Sequence, residues 1–202
     1  PLSPRRVLSA RGARMPVLIG STSLDGLAAA PYTEYPLPHT SERFASELAR
    51  YFGGYPALLS SLKAAYPAEN YEGNVTLAYI DINSDACVVC PTLALAILLA
   101  TPRPPMPDLP TVPDQSVFLY KYAFARRGHN GIAPHASELP NVFGMPNSNP
   151  FGYFAYNQTI SDDMESWWSK FAGGSHPWPA LITGNPQEQS FLNISAAPAV
   201  LK

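Results

Sequence analysis

Two stretches of the chain read as buried strands. Pro16 to Thr22 (PVLIGST) is a continuous apolar run closed by glycine and small polar residues, and Val117 to Phe124 (VFLYKYAF) is a second strand-like run. Continuous apolarity, without alternation, is the pattern of strands covered on both faces, as in parallel sheets. Helical patterns lie between and after them. Thr40 to Phe52 puts Phe44, Leu48, Tyr51 and Phe52 on one face, with Thr40 or Ser41 as cap, Glu42 in the first turn and Gly53-Gly54 as the stop. Ala57 to Tyr66 predicts a second helix with Leu58, Leu59 and Leu62 inward, closed at Pro67. Asn74 to Ile82 reads as one helix or as the start of the next, which Ser84 caps. That next helix holds the most apolar run, Ala86 to Ala100 (ACVVCPTLALAILLA). The run is about fifteen residues, short of the roughly 20 that span a bilayer, and Pro91 interrupts it. It predicts a buried helix and no transmembrane segment. Ser161 to Ala172 (SDDMESWWSKFA) is a further helix, with Ser161 as cap, Asp162 and Asp163 at its positive end and Lys170 near its negative end. Met164, Trp167, Trp168 and Phe171 supply its buried side. The rest reads as loop: Pro1 to Arg14 with its four arginines, the proline-rich Thr101 to Pro113, Pro146 to Asn157, and the last twenty residues.

Composition narrows the classes. Hydrophobic residues make up 46% and charged residues 14%, so a core is affordable and disorder is not expected. A net charge of −2 gives no reason to expect nucleic acid or an anionic membrane as partner. The 23 prolines require much loop, because proline neither donates to a ladder nor sits inside a helix. Pro1 in place of Met reads as other than a nascent N-terminus. Three Asn-x-Ser/Thr sequons, at Asn74, Asn157 and Asn193, are glycosylation candidates and favour a secretory, extracellular route. Two cysteines, Cys87 and Cys90, form a Cys-x-x-Cys on an apolar helix. The fold context of a redox centre is not evident, and no second pair exists for a structural zinc site. No metal and no cofactor are expected.

The segment after the second strand carries the chemistry. From His135 it runs His-x-x-Glu-Leu-x-x-Val-Phe-Gly, matched by Glu138, Leu139, Val142, Phe143 and Gly144. This resembles the histidine loop of the type-B carboxylesterase and cholinesterase family. The first strand supports the resemblance: Pro-Val-Leu-Ile-Gly is followed by a short linker and an acidic residue before glycine, here Asp25-Gly26. The family most often has Glu at that place, with another acidic residue before it; here Leu24 precedes Asp25. Ser84, Asp85, Cys90 and Pro91, and the ending Phe171-Ala172 to Trp178-Pro179, match as well. The resemblance implies an α/β fold, the C-terminal part of an α/β-hydrolase. Residues 1–202 would then form one portion of a single domain: acid strand near 16–22, cap-like helices over 40–100, histidine strand 117–124 and C-terminal helix 161–172.

By that resemblance His135 is the general base and acid of a serine esterase, and Asp25 is the carboxylate that orients it. Acid before histidine is the chain order of α/β-hydrolases. The nucleophile is not here: the chain contains no Gly-x-Ser-x-Gly and no oxyanion glycine segment. The expected partner is therefore an N-terminal chain of the same precursor, cut near Pro1 and carrying the serine, or an N-terminal part of one longer polypeptide. Isolated, this portion should present an exposed apolar sheet edge. The expected substrate is a small ester. The alternative is a non-catalytic structural or adhesion relative. Plainer readings stand beside each residue: His135 as a surface histidine, Asp25 as the cap of a helix starting at Gly26, and Glu138 as a hydrogen-bond acceptor that supports the fold, not a second acid. His129 is a weaker base, and His39 and His176 read as structural or solvated. Phe143 and Tyr153 line a pocket or pack in the core. In cholinesterases the cysteine before proline pairs near the C-terminus, where this chain has none; Cys87 and Cys90 bridge each other, reach the other chain or remain buried thiols.

Overall fold

A computed structural model describes residues 15–27, 37–101, 116–124, 133–147, 155–181, 191–195 and 199–201. The arginine-bearing N-terminal stretch, His129, Tyr153 and most of the proline-rich connection lie outside them. Strand β1 (Val17–Thr22) pairs in parallel with β2 (Val117–Tyr122), with Val17 opposite Val117 and Thr22 opposite Tyr122. Next come β3 (Phe191–Ile194), parallel to β2, and β4 (Ala199–Leu201), antiparallel to β3, in the order β1-β2-β3-β4. The tail expected to be loop thus supplies two strands. Phe191-Leu192-Asn193-Ile194 alternates, with Leu192 and Ile194 buried, but four residues are too few for a clear sequence signal.

The helices are α1 (Ser41–Phe52), α2 (Pro56–Ala65), α3 (Val75–Ser84), α4 (Cys90–Ala100), α5 (Leu139–Val142) and α6 (Gln158–Ala172). Thr40 caps α1 by accepting from the Arg43 amide. On α1 only Glu47 and Leu48 are buried, while Tyr51 is exposed. No residue of α2 is buried, and Leu58 points outward. Of the residues read as inward, Leu48 is buried, Phe44, Phe52, Leu59 and Leu62 are half-buried, and Tyr51 and Leu58 are exposed. Polar bonds tie the segment that follows α2 to the long helix: Tyr66 donates to Asp85 at 2.5 Å and Tyr71 to Asp81 at 2.6 Å.

The long helix is also a correction. Segments α3 and α4 form one run, Val75–Ala100, joined by a wide π-type turn over Asp85–Val89. Asn74 is its cap, accepting from the Thr76 and Leu77 amides. Ser84, expected as a cap, lies inside it and donates back to the Ile80 carbonyl. Pro91 is accommodated at the start of α4, where the ordinary ladder has just been interrupted. At 26 residues the helix is long and apolar enough to cross a bilayer by those two measures. The run expected to be a buried helix is mostly half-buried or exposed: of Ala86 to Ala100 only Ala96 and Leu99 are buried, where they meet Val117, Leu181, Val17, Ile19 and Leu119.

The other sheet face carries the larger core. Phe118, Tyr122, Leu192 and Ile194 pack against Ile160 and Met164 of α6 and against Trp178. Trp178 donates its indole N–H to the Leu119 carbonyl, and Trp168 stacks edge-on against Tyr120 with centroids 5.2 Å apart. Gly20 faces the Tyr120 ring so closely that a Cβ would come within 2.5 Å of its carbons. Strand β1 is the edge of the described sheet, and its residues from Val17 to Gly20 are half-buried, whereas Val117 and Phe118 are fully covered.

Gly26 joins the end of the β1 loop to the long helix. Its amide donates to Ser84 Oγ, and a Cβ would meet Ser84 N at 2.5 Å and Ile80 O at 2.6 Å. Helix backbone cannot yield as a flexible side chain can. Gly26→Ala should therefore lower stability by about 1–3 kcal/mol, checked by chemical unfolding against the parent chain.

Candidate active site

The site forms where two parallel strands run out. Past the ladder, the Ser23 amide donates to the Tyr122 carbonyl and the Leu24 amide to the Ala133 carbonyl. The Ala133 amide returns a bond to Ser23 Oγ, and Leu24 makes a single parallel bridge with Pro134. Strand pairing is thus extended by two loop residues on each side. The next residue on each loop is a member of the expected pair: Asp25 after Leu24, His135 after Pro134.

Asp25 opens a short 3-10 turn, Asp25–Leu27, and is 6% exposed. One carboxylate oxygen, Oδ2, accepts from the Thr22 amide at 2.7 Å, and Oδ1 meets His135 Nδ1 at 2.7 Å. The carboxylate is fixed at both oxygens. An ionised carboxylate accepts only, so opposite an ionised Asp25 it is Nδ1 that donates, and Nε2 is the nitrogen left for other partners. The imidazole side chain is 60% exposed. A buried carboxylate holding one face of an exposed imidazole is the arrangement that makes a histidine a directed base.

The histidine loop is held from below. Ala136 has φ +64°, in the left-handed region that side-chain-bearing residues rarely adopt. The Ser137 amide donates to the Pro134 carbonyl and the Leu139 amide to Ala136, which turns the chain into α5. Asn141, fully buried, donates from Nδ2 to Tyr122 Oη and to the Ala155 carbonyl, while its Oδ1 accepts from the Asn157 amide. Its own carbonyl accepts from Ser161 Oγ. Ser161 is therefore a buried partner within α6 and Asn157 is the cap, a correction to the expected start of that helix. Asn141 escapes a sequence reading because its partners lie on two other segments, β2 and the stretch from Ala155 to Ser161.

Other expected residues fall elsewhere. His39 Nδ1 lies 3.2 Å from Thr76 Oγ1, and the His176 ring packs at 5.2 Å from Phe118. Neither joins the Asp25–His135 pair. Phe143 is 64% exposed, which excludes the core reading for it. Cys87 and Cys90 are free thiols and both exposed, so they neither bridge each other nor lie buried. The helical backbone fixes their side-chain directions. Glu138 Oε2 is buried and has no hydrogen-bond partner, so at that oxygen it does not serve as the expected acceptor.

With this geometry in hand, the profile of the carboxylesterase family matches residues 1–201. The chain belongs to the carboxylesterase family. Over 69 residues it is 35% identical to bile salt-activated lipase from Rattus norvegicus and, equally, to that from Bos taurus. Each match covers 31% of this chain, and 11% and 12% of those two proteins. Among solved structures, PNB esterase aligns over 100% of this chain at TM-score 0.67 and 20% identity. An esterase from Clostridium hathewayi, described as hydrolysing aliphatic aromatic polyesters, aligns over 92% at TM-score 0.51 and 19% identity. The chain spans 39% and 35% of those two structures. The architecture is accordingly part of an α/β-hydrolase fold.

The left-handed residue beside the histidine yields a test. Ala136→Gly should leave stability unchanged or raise it, because glycine adopts φ +64° without a Cβ clash. Ala136→Val should lower it by about 1–2 kcal/mol, read from paired thermal melts.

Proposed function

We propose that this chain supplies the histidine and acid of a serine carboxylesterase. His135 takes the proton of a serine hydroxyl as that oxygen attacks an ester carbonyl, then returns it to the leaving alcohol. Asp25 keeps Nδ1 protonated and stabilises the imidazolium formed between the two steps. The serine comes from polypeptide N-terminal to this chain, on the same precursor, and donors for the carbonyl oxyanion come from there too. The helices between 40 and 100 wall the approach. The exposed sequon asparagines, Asn74 and Asn157, support a secretory route.

The observation that carries this reading is the 2.7 Å contact between His135 Nδ1 and Asp25 Oδ1, with the ring largely exposed. A family member that served only as a scaffold has no use for a carboxylate fixed at both oxygens against an accessible imidazole. Support for a nucleophile outside the chain is twofold. No Gly-x-Ser-x-Gly occurs in its 202 residues, and the aligned esterase structures are more than twice as long.

His135→Ala in the complete polypeptide should lower ester turnover about 10⁴-fold while leaving its thermal melt unchanged. Retained turnover would remove His135 from the mechanism. A fluorophosphonate probe should label a serine in the N-terminal part, and absence of labelling would favour a non-catalytic protein.

A further inference from the structure

The three sequons stand in two kinds of place. Asn74 and Asn157 are the N-caps of α3 and α6, and both are exposed. Asn193 is half-buried in β3, opposite Lys121 of β2 on one side and Ala199 of β4 on the other.

At both caps one atom of the side-chain amide is engaged and the other is not. Asn74 Oδ1 accepts from the Thr76 and Leu77 amides at 3.1 and 3.2 Å, and Asn157 Oδ1 accepts from the Ile160 amide at 3.1 Å. Among the described residues neither Nδ2 has a hydrogen-bond partner. Capping accounts for the oxygen and leaves the nitrogen over, since aspartate or serine caps as well. Nor does a helix call for threonine at its second position, where Thr76 and Thr159 stand. Threonine is a poor helix former, and an acidic residue suits the positive end better. Cap asparagine with threonine two residues on occurs at both helices, and it is the spacing of the sequon itself.

We propose that Asn74 and Asn157 carry N-linked glycans and that Asn193 does not. The proposal rests on the secretory reading above and deepens it by assigning the sites. Attachment forms a bond from Nδ2 to the anomeric carbon of a sugar. That carbon's bond to the diphosphate of a lipid-linked oligosaccharide breaks, the diphosphate leaves with the electron pair, and Nδ2 gives up one proton. Oδ1 takes no part, so each asparagine goes on capping its helix while the glycan extends into solvent. Asn193 has no such room. Neighbouring strands lie about 4.8 Å apart, and Asn193 is paired on both sides. It shares a sheet face with Lys121 and Leu119, the face on which Leu119 packs with the long helix. A glycan is bulky and belongs at the surface, and one on Asn193 would part the strands.

The complete polypeptide, made in a eukaryotic secretory host under a supplied leader, should lose the mass of two glycans on treatment with a peptide N-glycosidase. That enzyme converts each occupied asparagine to aspartate, so peptide mass spectra should show the conversion at Asn74 and Asn157 and an unchanged Asn193. Asn74→Asp and Asn157→Asp keep the capping oxygen and remove the attachment nitrogen. Each should lose one glycan and leave the thermal melt of the deglycosylated protein in place. Thr159→Ala leaves the cap itself untouched and should also lose the glycan at Asn157, a result that a purely structural asparagine would not give. A glycan on Asn193 of the folded protein, or a bare Asn74 or Asn157, would overturn the assignment. Export under the polypeptide's own N-terminal sequence is read separately. Retention inside the cell fails the secretory reading, and occupancy under the supplied leader still decides the sites.

Discussion

The parallel pairing of β1 with β2 is the constraint on which the site depends. Its register sets Thr22 beside Tyr122, and the loops leave the ladder in step. Three further backbone-level links, from Ser23, Leu24 and Ala133, carry that step past the strand ends. Asp25 and His135 are 110 residues apart in sequence, yet each is the first residue beyond the same extended pairing. A slip of one residue would turn every side chain to the opposite face and part them. The two apolar faces of β1 and β2 resist such a slip, since Val117 and Phe118 are buried against different layers.

The acid needs more than register. Asp25 has a shorter side chain than glutamate, and the backbone makes up the reach. The Thr22 amide holds one oxygen, and Gly26 lies against the long helix through Ser84. Ser84 sits at the last ordinary turn before the π-type turn, where its hydroxyl donates to Ile80 and accepts from Gly26. Irregular helix geometry of this kind is found often at functional sites. Here it coincides with the serine that receives the acid loop, and with the aspartates that receive Tyr66 and Tyr71.

The parts legible in the sequence were those with a strong local cause. Continuous apolar runs gave β1 and β2, and the motif around His135 gave the loop. Thr40 and Gly53 marked the ends of α1. What escaped was decided at a distance. Ser161 has every local mark of a cap, but its hydroxyl is claimed by the Asn141 carbonyl and the cap is Asn157. Pro91 reads as a break, but the π-type turn absorbs it and the helix continues. Leu58 and Tyr51 sit on apolar faces, but they stay 45% and 51% exposed. Strand β3 shows only four residues of alternation, and its place comes from pairing with β2 and β4.

The distribution of burial bears on how the chemistry is shared. The half-buried edge of β1 and the exposed residues of α1 and α2 leave apolar surface open, while the Asp25 carboxylate already has a partner at each oxygen. The contacts from Thr22, Ser23, Leu24 and Ala133 that help fix Asp25 and His135 relative to each other join described residues. None waits on a nucleophile. The bond at Nδ1 fixes the histidine's direction within this chain, so in the esterase proposed above little reorganisation would be left for the reaction itself. Preorganised polar groups contribute most to rate when they need not move as charge develops. In that proposal, an interface along the β1 edge would position a hydroxyl against Nε2 without disturbing the bond at Nδ1. The strand edge and the Asp25–His135 geometry are separate demands on the sequence, and they meet where Ser23 and Leu24 join Tyr122, Ala133 and Pro134.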